Sequence, residues 1–176
     1  MNNNDNQSGD GKFTQAYNRM LARIRDIYEE AERHTLPALQ RAIEKAIDKT
    51  TELGELTRVE AERIGDYLKR DIEDAAAYLS GPEAKEFSDW LKIDATLIEN
   101  EILQLFISVA DKTKIELAQW ELQAANADTY RTGEITGIGT LQCNNCDELL
   151  RFTATGHIPL CPHCRGTTFR RTTERV

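Results

Sequence analysis

The residues of this chain best suited to chemistry are its four cysteines, all near the C-terminus. Cys143 and Cys146 form one C-x-x-C pair, and Cys161 and Cys164 form a second pair after 14 intervening residues. Two tight turns of this kind, called the first and second knuckle below, can bring four thiolates to the corners of a tetrahedron, the geometry that Zn²⁺ prefers. These four cysteines are therefore the predicted ligands of one structural zinc ion per chain.

Other uses of the same thiols stay open. A rubredoxin-like iron site also uses paired C-x-x-C turns, and a pair of redox-active dithiols would need no metal. A catalytic zinc is disfavoured, because four thiolates leave no coordination position for water. Metal binding would also supply folding energy, since a ribbon of about 35 residues is too small to be held together by apolar burial alone.

The three histidines are not predicted to be ligands. His163 lies inside the second knuckle and His157 lies four residues before it, but four thiolates already satisfy the ion. We expect both to be surface residues or to support the ligands from outside. His34 continues an apolar stripe, so we expect it in a core or between helices.

No motif in the chain indicates catalysis. Gly137 and Gly139 do not make a dinucleotide-binding fingerprint, because the third glycine is replaced by Gln142. The chain has no P-loop, no G-x-S-x-G elbow and no Glu-x-x-His pair of a di-iron bundle. We expect a protein that is not an enzyme and has no bound cofactor besides the metal.

Composition indicates a soluble cytoplasmic protein. The chain has 176 residues, a formal net charge of −8 and a mean hydropathy of −0.56. Its longest apolar stretch, residues 102–110, is far shorter than the ~20 residues of a membrane span. The N-terminus lacks the pattern of a signal peptide, so we expect the thiols to meet a reducing cytoplasm.

Charge is distributed unevenly, which bears on nucleic-acid binding. From residue 137 onward the formal charge is +2, which leaves −10 on the preceding residues of a chain whose total is −8. An acidic body is unsuited to phosphate contacts. Arg165, Arg170 and Arg171, with Phe169 among them, could form a small basic and aromatic surface for single strands, so the ribbon is the one candidate nucleic-acid site.

Apolar residues at helical spacing precede the cysteines and predict three helices with core-facing stripes. The stripes are Phe13, Tyr17, Met20, Ile24, Ile27, Ala31 and His34; Leu39, Ile43, Ala46, Thr50 and Leu53; and Ala61, Ile64, Leu68, Ile72, Ala75 and Leu79. Pro37 suits a first helical turn, Gly54 suits a helix end, and Thr57 with Glu60 matches a capping box. Gly65 weakens the prediction of an unbroken third helix.

The predicted fold is mainly α: an antiparallel helical bundle or coiled coil, followed by a small β zinc ribbon. Residues 1–11 are predicted as a disordered tail, residues 12–132 as the helical domain and residues 133–176 as the ribbon domain. A long helix is predicted over residues 83–124, continuous or broken near Asp111. Strands are predicted over residues 133–140, 149–154 and 167–172, with Gly156 turning the chain back toward the second knuckle.

Several segments together resemble the bacterial YbeL-like zinc-ribbon proteins, an uncharacterised family. They are ELGELTRVEAERI at 52–64, KRDIED at 69–74, ADKTKIELAQWE at 110–121, GEITGIGTLQC at 133–143 and the final CPHC. The resemblance spans about Tyr17 to Arg171 and implies that the same four cysteines are the ligands. It implies no activity.

These observations predict a zinc-ribbon protein that acts as an interaction or regulatory module. The expected partner is a protein, with nucleic acid at the ribbon as the alternative and no membrane. The GE-x-x-G-x-G segment is predicted to be a hinge that presents the ribbon at one end of the helices. The heptad-like seams could close within one chain or in a homo-oligomer.

Overall fold

The computed structural model describes residues 4–80, 103–104, 107–109 and 129–172. Three helices come first: α1 (Asn4–Glu29), α2 (Leu36–Glu52) and α3 (Arg58–Ser80). Six short strands follow: β1 (Tyr130–Arg131), β2 (Ile135–Thr136), β3 (Gly139–Cys143), β4 (Leu149–Phe152), β5 (Gly156–His157) and β6 (Thr168–Arg171). Helices followed by antiparallel strands confirm the predicted order of the fold.

The helices begin and end where local chemistry directs them. Thr35 caps α2, since its hydroxyl accepts a hydrogen bond from the Ala38 N–H at 3.3 Å. The capping box before α3 is reciprocal: the Thr57 N–H donates to Glu60 at 2.8 Å, and the Glu60 N–H donates to the Thr57 hydroxyl at 3.3 Å. After α2, Gly54 takes a φ of +67°, a left-handed conformation that ends a helix.

Most side chains of the three predicted stripes lie in or against one core, while Leu53 is exposed and the side chain of Leu79 is outside the described part of the structure. Ile107 packs against this core, and Leu103 and Val109 are buried within it. Helix α3 passes through Gly65 without a break. A Cβ at this position would lie 2.6 Å from Cδ1 of Ile47 on α2, so the glycine leaves room for that side chain. The glycine thus permits close approach of two helices at the cost of local helix propensity.

Two details of the helices bear on the sequence predictions: where α1 begins and how exposed Leu53 is. Helix α1 begins at Asn4, so it overlaps residues 1–11, the segment predicted as a disordered tail. Extending an existing helix costs less than nucleating one, and composition alone misses this. Leu53 is 54% exposed because α2 ends one residue before it.

Two other predictions concern larger features of the helical region. The long helix over residues 83–124 lies outside the described residues, apart from helical residues at 103–104 and 107–109. The antiparallel bundle or coiled coil stays a prediction. In the described part of the chain, no helix is long and apolar enough to cross a membrane.

The strands form two antiparallel sheets. The larger sheet has the order β1-β6-β3-β4, and β2 pairs with β5 in a separate two-stranded sheet. Tyr130 on β1 lies opposite Phe169 on β6, so a residue assigned by sequence to the helical domain belongs to the ribbon sheet. Conversely, Ile135 and Ile138 are buried in the helical core. The boundary predicted between residues 132 and 133 therefore does not separate two independent packing units.

Candidate metal centre

The two knuckles share one backbone design. The first follows strand β3, and the Asp147 N–H donates to the Cys143 carbonyl at 3.0 Å. In the second, the Arg165 N–H donates to the Cys161 carbonyl at 2.9 Å. Asp147 and Arg165 both have left-handed φ values, 62° and 61°. Each C-x-x-C segment is therefore closed by a residue that reverses the chain after its second cysteine.

The four sulfurs come together as the spacing predicts. All four Sγ atoms lie within 4.8 Å of one another. The Sγ atoms of Cys143 and Cys164 are 3.6 Å apart, as are those of Cys146 and Cys161. A tetrahedral ion with Zn–S bonds of ~2.3 Å needs S···S edges of about 3.8 Å, whereas a disulfide needs about 2.05 Å. The sulfurs thus fit a tetrahedral metal and do not form disulfides.

Backbone amides point at the sulfurs and favour their negative charge. The Asn145 N–H lies 3.4 Å from the Cys143 sulfur, and the Gly166 N–H lies 3.4 Å from the Cys164 sulfur. Hydrogen bonds from Asn145 and Gly166 lower the pKa of Cys164 to about 6. Thiolates are the metal-binding form of cysteine, so this knuckle favours ligation.

The neighbouring thiol shows why the site needs a cation. A backbone hydrogen bond from Glu148 favours the Cys146 thiolate, yet partial desolvation and hydrogen bonds with the other three sulfurs raise its pKa to about 12. Four thiolates this close cannot all be charged without a positive ion among them. The donor set and its spacing therefore fit a thiophilic metal such as zinc.

The histidines lie where sequence analysis expected them, outside the sulfur cluster. Among the described residues, the group that could hold a metal consists of the four cysteines alone. His163 is exposed, and Nδ1 of His157 lies 3.2 Å from the Gly133 carbonyl oxygen. The His34 ring makes an edge contact with the Tyr28 ring at 5.0 Å between centroids.

The predicted basic and aromatic surface is not formed as expected. Phe169 is fully buried in the ribbon core, and the Arg171 side chain is 3% exposed. Arg170 is exposed but donates to Asn144 at 3.2 Å and to Asp147 at 3.1 Å. The structure therefore excludes base stacking on Phe169. The prediction placed Arg165, Phe169, Arg170 and Arg171 on one surface. Alternation along a β-strand instead puts Phe169 and Arg171 on the face opposite Arg170.

A fully buried carboxylate, Asp71 on α3, joins the helices to the ribbon. Its Oδ2 accepts hydrogen bonds from the Tyr17 hydroxyl at 2.6 Å, from the Gly137 N–H at 2.7 Å and from the Thr136 hydroxyl at 3.3 Å. Burial, together with the adjacent Asp71 carboxylate, raises the pKa of Tyr17. The segment predicted as a hinge is thus fixed to α3 by its own backbone.

Two arginines surround the same carboxylate. Nε of Arg70 lies 3.3 Å and Nη2 of Arg171 lies 3.4 Å from Oδ1 of Asp71. Arg70 also donates to Glu134 at 2.6 Å, and Nε of Arg171 lies 3.8 Å from Asp74. Burial opposes the charge of both arginines, but nearby anionic groups outweigh it and raise their pKa, so both stay charged.

Tyr130 on β1 completes this arrangement. The guanidinium carbons of Arg70 and Arg171 both lie over its ring, at 3.8 and 4.9 Å from the ring centroid, and its hydroxyl donates to Asp74. Burial raises the pKa of Tyr130 well above its ordinary value. The interface cluster, as the term is used below, consists of six residues: Arg70, Asp71, Asp74, Tyr130, Glu134 and Arg171.

Sequence analysis missed the interface cluster, although one signal was present. Asp71 follows Leu68 by three residues and precedes Ala75 by four, so it shares their buried helix face. Apart from the adjacent Arg70, its partners are 54 to 100 residues away in the sequence, from Tyr17 to Arg171, so helical periodicity could not name them.

The paired knuckles, the converging sulfurs and the short antiparallel strands define a zinc-ribbon protein. The chain matches the zinc-ribbon containing domain family over residues 26–173 and belongs to that family. It is similar to the uncharacterized protein YbeL of Escherichia coli strains K12 and O157:H7, at 28% identity over 161 residues in each case. The alignment covers 91% of this chain and 96% of each relative. No solved structure matches.

Gly166 gives the first test of the metal centre. A Cβ at this position would lie 3.2 Å from the sulfurs of both Cys143 and Cys164. We expect Gly166→Ala to weaken zinc binding about tenfold in a chelator competition, since overpacking typically costs about 1–3 kcal/mol. Gly156→Ala is the matched control, because its Cβ would meet Phe152 at an ordinary 3.6 Å. Equal zinc affinity of the two variants would contradict the described sulfur geometry.

Asp71 gives the second test. Asp71→Ala leaves two arginines partly uncompensated in a buried site, so we expect the free energy of unfolding in urea to fall by about 3–5 kcal/mol. Asp26, which is 63% exposed and paired with Arg25, provides the control. Asp26→Ala should cost less than about 1 kcal/mol. Similar losses in both variants would show that the interface cluster does not stabilise the fold.

Proposed function

We propose that this protein is a non-enzymatic, cytoplasmic zinc-binding protein whose ribbon presents a rigid surface to a protein partner. One structural zinc per chain would be held by Cys143, Cys146, Cys161 and Cys164. When bound, the ion supplies cross-linking of the two knuckles. Four thiolates fill a tetrahedral shell and leave no position for water or substrate, which supports a structural role over catalysis.

The observation that carries the interaction role is the apolar surface around the second knuckle. Leu160 is 44% exposed, and Pro159 and Pro162 beside it are exposed as well. The segment is held in place, since the Thr132 hydroxyl donates to the Pro159 carbonyl at 3.0 Å and the Cys161 N–H donates to the Gly166 carbonyl at 3.0 Å. A rigid apolar surface of this kind binds a protein at little cost in conformational entropy.

Metal identity is the first test. Protein purified without added metal should contain about one zinc ion per four-cysteine site by elemental analysis. Rubredoxin-like iron, the alternative that the C-x-x-C spacing leaves open, would give a coloured protein with visible absorbance. Iron in place of zinc would overturn the structural-zinc proposal.

The partner surface is tested by comparing two exposed leucines. Leu160→Asp places a charge beside the second knuckle, while Leu53→Asp places one at the end of α2, where Leu53 is 54% exposed. In cross-linked co-purifications from bacterial cells, we expect Leu160→Asp to lose partners that wild type and Leu53→Asp retain. Zinc content should be equal in all three proteins.

Identical partners for all three proteins would contradict the proposed surface. Partners that disappear only after nuclease treatment would instead assign the contact to nucleic acid, with Arg165 and Arg170 among the exposed cations of the ribbon. A chain truncated before the ribbon is a poor substitute for these point variants, because the truncation removes Ile135 and Ile138 from the helical core.

A further inference from the structure

We infer that metal occupancy of the four-cysteine site is coupled to the stability of helix α3, so that the helical region responds to the metal state of the ribbon. Each knuckle is connected to the interface cluster by its own short path of hydrogen bonds and strand pairing. The inference rests on the proposed metal site but not on any partner.

The first path starts at the first knuckle. Cys143 pairs with Phe169 on β6, and the Asn144 N–H donates to the Thr168 carbonyl at 3.0 Å. Two residues beyond Phe169 on the same strand is Arg171, whose Nη2 lies 3.4 Å from Asp71 of α3. The pairing of β6 with β3 therefore sets the position of the buried guanidinium relative to α3.

The second path starts at the second knuckle. Ile158 is buried with Cys161 in the ribbon core, and its N–H donates to the Glu134 carbonyl at 2.8 Å. The Gly133 N–H returns a hydrogen bond to the Ile158 carbonyl at 2.8 Å. The Glu134 side chain then accepts from Arg70 of α3 at 2.6 Å. The first knuckle is thus connected to α3 through the pair Arg171 and Asp71, and the second through the pair Glu134 and Arg70.

The ribbon cannot keep these paths in place by apolar packing alone. Its buried core consists of six residues, and two of them are Cys143 and Cys161 of the metal site. In a metal-free ribbon, the two knuckles lose the ion that would cross-link them. Arg171 and Glu134 then lose their fixed positions, and Asp71 of α3 loses its partners from the ribbon, Thr136, Gly137 and Arg171.

Disruption of the ribbon would also uncover the helical core itself. Ile135 and Ile138 are buried in that core, and Thr155 donates to Asn18 of α1 at 2.7 Å. Helix α2 instead packs against α1 and α3. Arg23 of α1 donates to Thr50 of α2 at 2.7 Å and to Glu55 of the α2–α3 turn at 2.7 and 2.9 Å, so α2 is held within the helical region. Loss of the metal should therefore destabilise α3 first and α2 least.

Hydrogen exchange of the full chain tests this order. We compare zinc-loaded protein with the same protein after chelation and dialysis, and follow peptides covering residues 68–76 of α3 and 38–47 of α2. We expect exchange in the α3 peptide to accelerate at least about tenfold, and more than in the α2 peptide. The inference is overturned if ribbon peptides lose protection while the α3 peptide exchanges as before.

Thermodynamic linkage supplies a reciprocal test from the helix side. If the metal stabilises α3 through the interface cluster, disrupting the cluster on α3 must weaken metal binding by the same factor, typically about 5–150-fold for coupled sites. Asp71→Asn changes a side chain that contacts no cysteine. We expect it to weaken zinc binding about tenfold in chelator competition. Asp74→Asn is a milder second variant should Asp71→Asn fail to fold.

The matched control is Arg23→Met. Arg23 makes a two-point contact with Glu55 at 2.7 and 2.9 Å, within the helical region. It should lower the stability of the helices and leave zinc affinity unchanged. Wild-type affinity in both cluster variants, or equal weakening in Arg23→Met, would overturn the coupling path. Failure of wild type to bind zinc at all would instead overturn the proposed function, and the coupling with it.

Discussion

The buried carboxylate of Asp71 is the interaction on which the joint structure of helices and ribbon depends. It is fully buried, and it is satisfied from both sides: by Tyr17 on α1, by the backbone of the segment between β2 and β3, and by an arginine from the last strand. A buried charge is tolerated only when paired and hydrogen-bonded. The carboxylate therefore has its full set of partners only while the ribbon is docked on α3.

This constraint changes the role of several ribbon residues. Arg171 belongs to the ribbon by sequence, but its guanidinium is buried among carboxylates of α3. Part of the positive charge of the ribbon is thus paired with carboxylates of the acidic helices, and less of it faces solvent than the sequence suggests. The charge asymmetry seen along the chain reflects complementarity between its two parts as well as any surface offered to a partner.

Sequence was most informative where local physics decides the structure. The C-x-x-C spacing predicted the convergence of four sulfurs, because each turn is short and the metal geometry is strict. The capping box at Thr57 was predicted for the same reason, since it involves residues only three positions apart. The stripes of Tyr17, Ile43 and Leu68 were predicted from the helical period.

The interface cluster could not be predicted from local sequence patterns, because residues of α3 and of the ribbon that are distant in sequence form it and no motif marks them. Arg70, Tyr130 and Arg171 meet only once β1 has paired with β6 and the ribbon has docked on α3. The glycines of the 133–139 segment were interpreted as marks of a hinge. Gly137 instead brings its backbone N–H within 2.7 Å of a carboxylate, so it anchors the segment.

The way the ribbon is anchored bears on how a small metal-dependent unit can be stable. A ribbon with a six-residue core gains little from apolar burial, and metal ligation holds only the knuckle end together. Its other end is held by charged and aromatic contacts with α3, and by two isoleucines that complete the helical core. The metal thus holds the knuckle end, and the contacts with the helices hold the opposite end. The metal centre and the interface cluster are therefore best regarded as two supports of one folding unit.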